Sequence, residues 1–119
     1  MAGPGFKLLP PEKFDGDADF DRFTKRLSAY MGCEDGDYAQ MMIQAQRSPN
    51  TITEEVLEAW NAAYMARGRE PGALDVKNTK LYYVLISLTD KAAFTIVYNV
   101  HNSNGIEAWR RLRERYCAY

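Results

Sequence analysis

Apolar residues recur at three- and four-residue steps along most of this chain. Phe20, Phe23, Leu27, Tyr30 and Met31 form the first such stripe, a spacing that places them on one face of an α-helix. The pattern predicts a helix over 18–31, capped by Asp17 or Asp19 and stopped by Gly32. A short second helix is expected at 38–46, with Met41, Met42 and Ile43 turned inward. Val56, Leu57, Trp60, Ala63 and Tyr64 mark a third near 54–67, opened by Thr53 and broken by the "RGREPGALD" stretch with its two glycines and proline. Residues 75–89, opened by Asp75, include "LYYVLISL", apolar nearly all round. Its composition also suits a buried strand, but its length predicts a helix, and one so apolar belongs at the centre of the domain. Thr89–Asp90 restarts a helix with Ala93, Phe94, Ile96, Val97 and Val100 inward. After the turn "HNSNG", Ile106, Trp109, Leu112 and Tyr116 follow at steps of three, three and four. Residues 36–52 and 68–74 are the stretches open to disorder.

The first sixteen residues break this rhythm. "MAGPGFKLLPPEKFDG" holds three prolines and three glycines, and Pro10–Pro11 imposes an extended backbone without amide donors. Residues 1–16 therefore read as an arm ahead of a helical domain at 17–119. Phe6, Leu8, Leu9 and Phe14 are too apolar for a free tail. They are expected to lie on their own domain or on a neighbour, which makes them a candidate assembly arm. The fold class is all-α: a compact orthogonal bundle of five to six helices with an extended N-terminal arm. Its expected core is Phe20, Phe23, Leu27, Trp60, Tyr64, Leu81, Leu85, Leu88, Ile96, Trp109, Leu112 and Tyr116.

Composition narrows the function. A chain of 119 residues is one domain's length and buries a core without metal or disulfide support. The net charge of −1 and pI of about 5.8 create no global attraction for nucleic acid or membrane. The charge is uneven: residues 1–60 hold eleven acids and six bases, residues 61–119 five acids and nine bases. Such a polarity suits copies stacked head to tail; the alternative is that the split vanishes once the chain folds. Cys33 and Cys117 are too few for a secreted disulfide scaffold, and no apolar run reaches the roughly 20 residues that span a bilayer. A cytoplasmic, soluble protein with free thiols and no membrane partner is expected. The final residue, Tyr119, follows no C-cap, so a fragment of a longer chain is expected.

Catalytic and metal chemistry find little support. "DGDADFD" at 15–21 spaces carboxylates as a calcium loop does, but Phe20 occupies the sharp-turn position and Arg26 the bidentate-Glu position. His101 stands without local cysteine or carboxylate partners at zinc spacing. No glycine-rich loop follows a strand. No enzyme activity, metal or cofactor is expected. Arg110, Arg111, Arg113 and Arg115 interleave with Trp109 and Tyr116 in "AWRRLRERY", which makes the last helix a candidate RNA or partner surface; the alternative is that its rings are core and its arginines a wet back.

Three stretches in order resemble retrotransposon Gag proteins, most closely the copia type. "FDGDADFDRFTKRLSAYM" is similar to their opening, in which an aromatic-x-Gly element precedes the first helix. "LYYVLISLTDKAAFTIV" resembles their apolar helix, polar break and following small-residue helix. "NGIEAWRRLRERY" is similar to their closing helix through Gly105, Glu107, Ala108, Trp109, Leu112 and Tyr116. The resemblance covers about residues 10–117; Phe23 stands where many members carry Trp, residues 32–75 do not align, and no zinc knuckle is present. It implies the N-terminal capsid domain of a Gag polyprotein, a structural protein forming pentamers and hexamers in virus-like particles that enclose retroelement RNA, with the RNA held mainly by regions outside this chain. The alternative it implies is a domesticated Gag-like adaptor that binds a linear peptide or RNA.

Overall fold

A computed structural model describes residues 9–68 and 73–117. Among them are six α-helices and one 3-10 turn, with no strand: α1 Phe20–Glu34, α2 Gly36–Gln46, α3 Glu54–Met65, α4 Ala73–Leu88, α5 Lys91–Tyr98, the turn His101–Ser103, and α6 Gly105–Tyr116. The all-α class is thus as the apolar spacing predicts. Helix starts follow capping chemistry. Asp19 accepts the Arg22 amide at 3.2 Å, Thr53 the Val56 amide at 3.3 Å and Asn104 the Glu107 amide at 3.1 Å, each satisfying a donor that has no partner inside its helix.

Three boundaries differ from expectation. Gly32 does not stop α1, which runs on to Glu34. Asp35 stops it instead: its backbone is extended, its amide bonds Met31 O, and its carboxylate accepts the Asp37 amide at 2.9 Å to open α2. A mid-helix glycine costs only about 1 kcal/mol, which packing of α1 on α2 offsets. Helix α4 starts at Ala73, two residues before Asp75. Residues 36–46, within a stretch open to disorder, are the helix α2, and it buries Tyr38, Met41, Met42 and Ala45. Ile43, expected inward, is 39% exposed, because it is the odd member of that helical face.

The arm enters the core. The Phe14 amide donates to Leu88 O at 2.8 Å and its carbonyl accepts the Asp90 amide at 2.9 Å, one parallel bridge across the α4–α5 junction. The Phe14 ring then packs edge-on to Phe20 at 5.1 Å, stacked on Phe23 at 5.3 Å and edge-on to Tyr116 at 4.9 Å. Phe20 in turn stacks on Trp109 at 5.7 Å. Rings from both ends of the chain thereby meet in one interior. Gly16 makes the approach possible: its φ is +104°, and a Cβ there would stand 2.9 Å from the Tyr116 hydroxyl oxygen.

Eight residues of the expected core are buried, while Trp60, Leu88, Ile96 and Tyr116 are half-buried and pack against it. The central helix is α6 rather than α4. Helix α6 packs on α2, α4 and α5 and buries every residue from Gly105 to Arg110, whereas α4 exposes Val76 and Tyr83. At its start α6 lies so close to α4 that a Cβ on Gly105 would meet Asn78 O and Tyr82 N, both at 2.5 Å. These are backbone atoms and cannot turn aside. Gly105→Ala is therefore expected to destabilise the fold by about 1–3 kcal/mol, read as a lower urea midpoint at unchanged slope.

Candidate functional site

Of the four arginines proposed as an RNA or partner surface, Arg110 is not on the surface at all. Its side chain is 8% exposed. Its guanidinium grips Glu107 with two bonds, Nε to Oε1 at 2.7 Å and Nη2 to Oε2 at 3.0 Å, and reaches Glu114 at 3.0 Å. Arg111 Nε donates to Glu107 Oε2 at 2.6 Å. The reason is local: Glu107 lies three and four residues before the two arginines, on a shared helix face. Arg113 and Arg115 lie over rings of the aromatic cluster, 6.0 Å from the Phe20 centroid and 5.4 Å from that of Tyr116. The "wet back" of α6 is thus divided, with two arginines engaged by one buried carboxylate and two roofing the rings.

Glu107 anchors a larger network. It accepts the Ile52 amide at 2.8 Å, which ties the loop before α3 to α6. Asn104 donates to Ile52 O at 2.9 Å, and its side-chain oxygen accepts from Asn78 at 3.2 Å. Asn78 closes the ring by accepting the Ile106 amide at 2.7 Å. Loop, α4 and α6 are joined through side chains with almost no solvent contact, so each bond matters more than it would in water.

Burial opposes the charge on Glu107, but bonds from Arg110, the Ile52 amide and Arg111 outweigh it and hold the carboxyl below the ordinary glutamate value. Asp35 is likewise held low, first by Lys77 and then by the Asp37 amide. Carboxylates with lowered pKa stabilise the fold fully above their unfolded pKa and lose that contribution as pH falls through the folded value. Thermal stability is expected to hold at neutral pH and to decline below about pH 4, and the Glu107→Gln protein is expected to show a shallower acid slope, measured by melting across pH 2–7.

A second polar cluster joins α2, α3 and α4. Lys77 bonds Asp35 and, at 3.2 Å, Asp37; the Tyr64 hydroxyl donates to Asp37. Burial works against the Lys77 charge, but these bonds prevail and raise its pKa. Lys80 pairs with Glu34 nearby. The acidic front and basic back of the sequence therefore meet here inside one molecule.

The arm residues scatter. Phe14 is a core residue, Leu9 is 88% exposed, and Phe6 and Leu8 lie outside the described residues. Among the described residues, no group of three His, Cys, Asp or Glu side chains is placed to hold a metal, and no helix is long and apolar enough to cross a membrane. Cys33 is exposed and Cys117 half-buried, both as free thiols. No family model, curated protein or solved structure matches this chain.

Sequence reasoning named Glu107 only through the resemblance, without its buried role, and missed Asn78 and Asn104. One signal was present: a carboxylate three and four residues ahead of paired arginines, just after an asparagine at a helix start.

Proposed function

We propose that this chain is a capsid-type structural domain that assembles with copies of itself, as the N-terminal capsid domain of a Gag-like protein does. The observation that carries the reading is what the residues of the resemblance do in the fold. Gly16 and Phe14 seat the arm against Tyr116; Gly105 lets α6 touch α4; Glu107 ties in the loop before α3; Ala108, Trp109 and Leu112 are fully buried. That they act together in one folding solution spread over both chain ends supports the reading. A rigid unit of this kind suits repetition by rotation, where many modest contacts act together. RNA binding through α6 is the weaker reading, because Arg110 and Arg111 are already engaged by Glu107.

Electron microscopy of the purified protein tests the reading. Closed particles or regular rings at raised protein or salt concentration are expected. Dispersed monomers under every condition, with tight capture of a linear peptide, would instead establish an adaptor.

A further inference from the structure

We propose that Asn104 is a site of spontaneous deamidation that the fold holds in check, and that the reaction marks any copy in which the start of α6 has opened. The inference stands apart from the self-assembly reading.

The fold demands a labile pair of neighbours. Position 104 requires an asparagine. Its oxygen caps α6 through the Glu107 amide at 3.1 Å and accepts from Asn78 at 3.2 Å, while its nitrogen donates to Ile52 O at 2.9 Å. An aspartate has no such donor. Position 105 requires a glycine, because a Cβ there would stand 2.5 Å from Asn78 O and from Tyr82 N. The result is the one Asn-Gly dipeptide in the chain. An asparagine side chain closes most readily on a following glycine, which puts no Cβ in the path of attack.

The step balances with water alone. The Gly105 nitrogen, its proton passed to solvent, attacks Asn104 Cγ. The N–Cγ bond forms, the Cγ–Nδ2 bond breaks, and Nδ2 leaves as ammonia. Water then opens the cyclic imide at either carbonyl and leaves aspartate or isoaspartate. In the fold the buried carboxamide is tied to Ile52, Asn78 and Glu107, so it cannot turn onto Gly105 without breaking those bonds. The segment leading in is held under constraint. Asn102 and Ser103 have positive φ, +61° and +51°, a backbone that such residues keep only where their neighbours fix it. Asn104 also lines a cleft of about 330 Å³ with Asn78 and His101, which gives solvent a way to the site.

Neither product remakes the network. Isoaspartate adds a backbone atom just ahead of α6. Aspartate turns an acceptor toward Ile52 O and brings a second carboxylate to Ile52, whose amide Glu107 already holds. A buried acceptor without a donor is costly, so opening followed by reaction is not reversed.

Peptide mass spectrometry of the protein incubated at mildly alkaline pH, folded and in urea, tests this. Residue 104 is expected to convert at least about tenfold more slowly in the folded chain, where the rate scales with the fraction of time that the segment is open. Across a urea series on the wild type, the rate is expected to rise through the unfolding transition. Asn78→Ala removes one tie to Asn104 and one to the Ile106 amide. It is expected to speed conversion in buffer at least about fivefold, with circular dichroism checking that it folds; if it does not, the wild-type urea series still decides. Chains converted in urea and returned to buffer are expected to refold only to a lower urea midpoint, or not at all, and Asn104→Asp is expected to lower the midpoint as well. Equal rates in folded and unfolded chains, no conversion at residue 104 in urea, or converted chains that regain the wild-type midpoint would each overturn the proposal.

Discussion

Glu107→Ala is expected to remove about 3–5 kcal/mol of stability, because the buried Arg110 keeps only its bond to the exposed Glu114. Arg110 would remain 8% exposed with its two-bond grip gone, and the Ile52 amide would lose its acceptor. A small domain is typically stable by only about 5–15 kcal/mol, so the variant is expected to lose much of its margin. Glu107→Gln keeps the shape but not the charge and is expected to fall between. The pair Glu107→Leu/Arg110→Leu removes both charges together and should recover much of the loss, since apolar replacement of a buried ion pair is often neutral or better. Chemical denaturation of the four proteins checks the order. If Glu107→Ala unfolds at the same midpoint as the wild type, the network holds nothing together.

Trp109→Ala is expected to cost a similar amount, about 3–5 kcal/mol, from lost burial and the cavity left behind. Trp109 is fully buried and stacks on Phe20, the ring through which α1 and α6 meet. Trp60→Ala is the matching control. That ring is half-buried and packs only at the core's edge, so a clearly smaller loss is expected. Equal losses would mean that the two rings are equally interior, against the structure.

Both variants concern α6, and α6 also shows where the sequence was readable. Its aromatic stripe was legible because Ile106, Trp109, Leu112 and Tyr116 obey helical spacing. The same rule located all six helices to within a few residues. What it hid was the second buried face. A glutamate and an arginine register as solvent-facing whatever their partners, so the deepest polar group in the fold looked like ordinary surface. That error carried into function, since Arg110 and Arg111 look like an RNA surface only while Glu107 is ignored.

Other gaps have equally specific causes. Gly32 resembles a terminator because glycine often is one, but the cap that ends α1 lies three residues later at Asp35. The sequence makes Phe14 part of an arm because Pro10–Pro11 forbids a helix. The prolines constrain the backbone of residues 9–11, not the destination of the ring that follows. The pairing of Lys77 with Asp35 and Asp37, about forty residues away in the chain, depends on how α2 and α4 pack and has no local trace in the sequence.

The same distinction bears on function. Aromatic and arginine residues in α6 invite a nucleic-acid reading; in the fold Trp109 and Tyr116 pack on rings from the other end of the chain, and Arg110 and Arg111 bond Glu107 of their own helix.

The most direct test is the tryptophan fluorescence of a Trp60→Phe protein, in which Trp109 is the single emitter. With α6 packed as described, emission is expected at short wavelength, resistant to acrylamide, unchanged by added RNA, and released to long wavelength only as the chain unfolds. Native emission at long wavelength with free quenching, or quenching on addition of RNA, would contradict the account and return Trp109 to the surface.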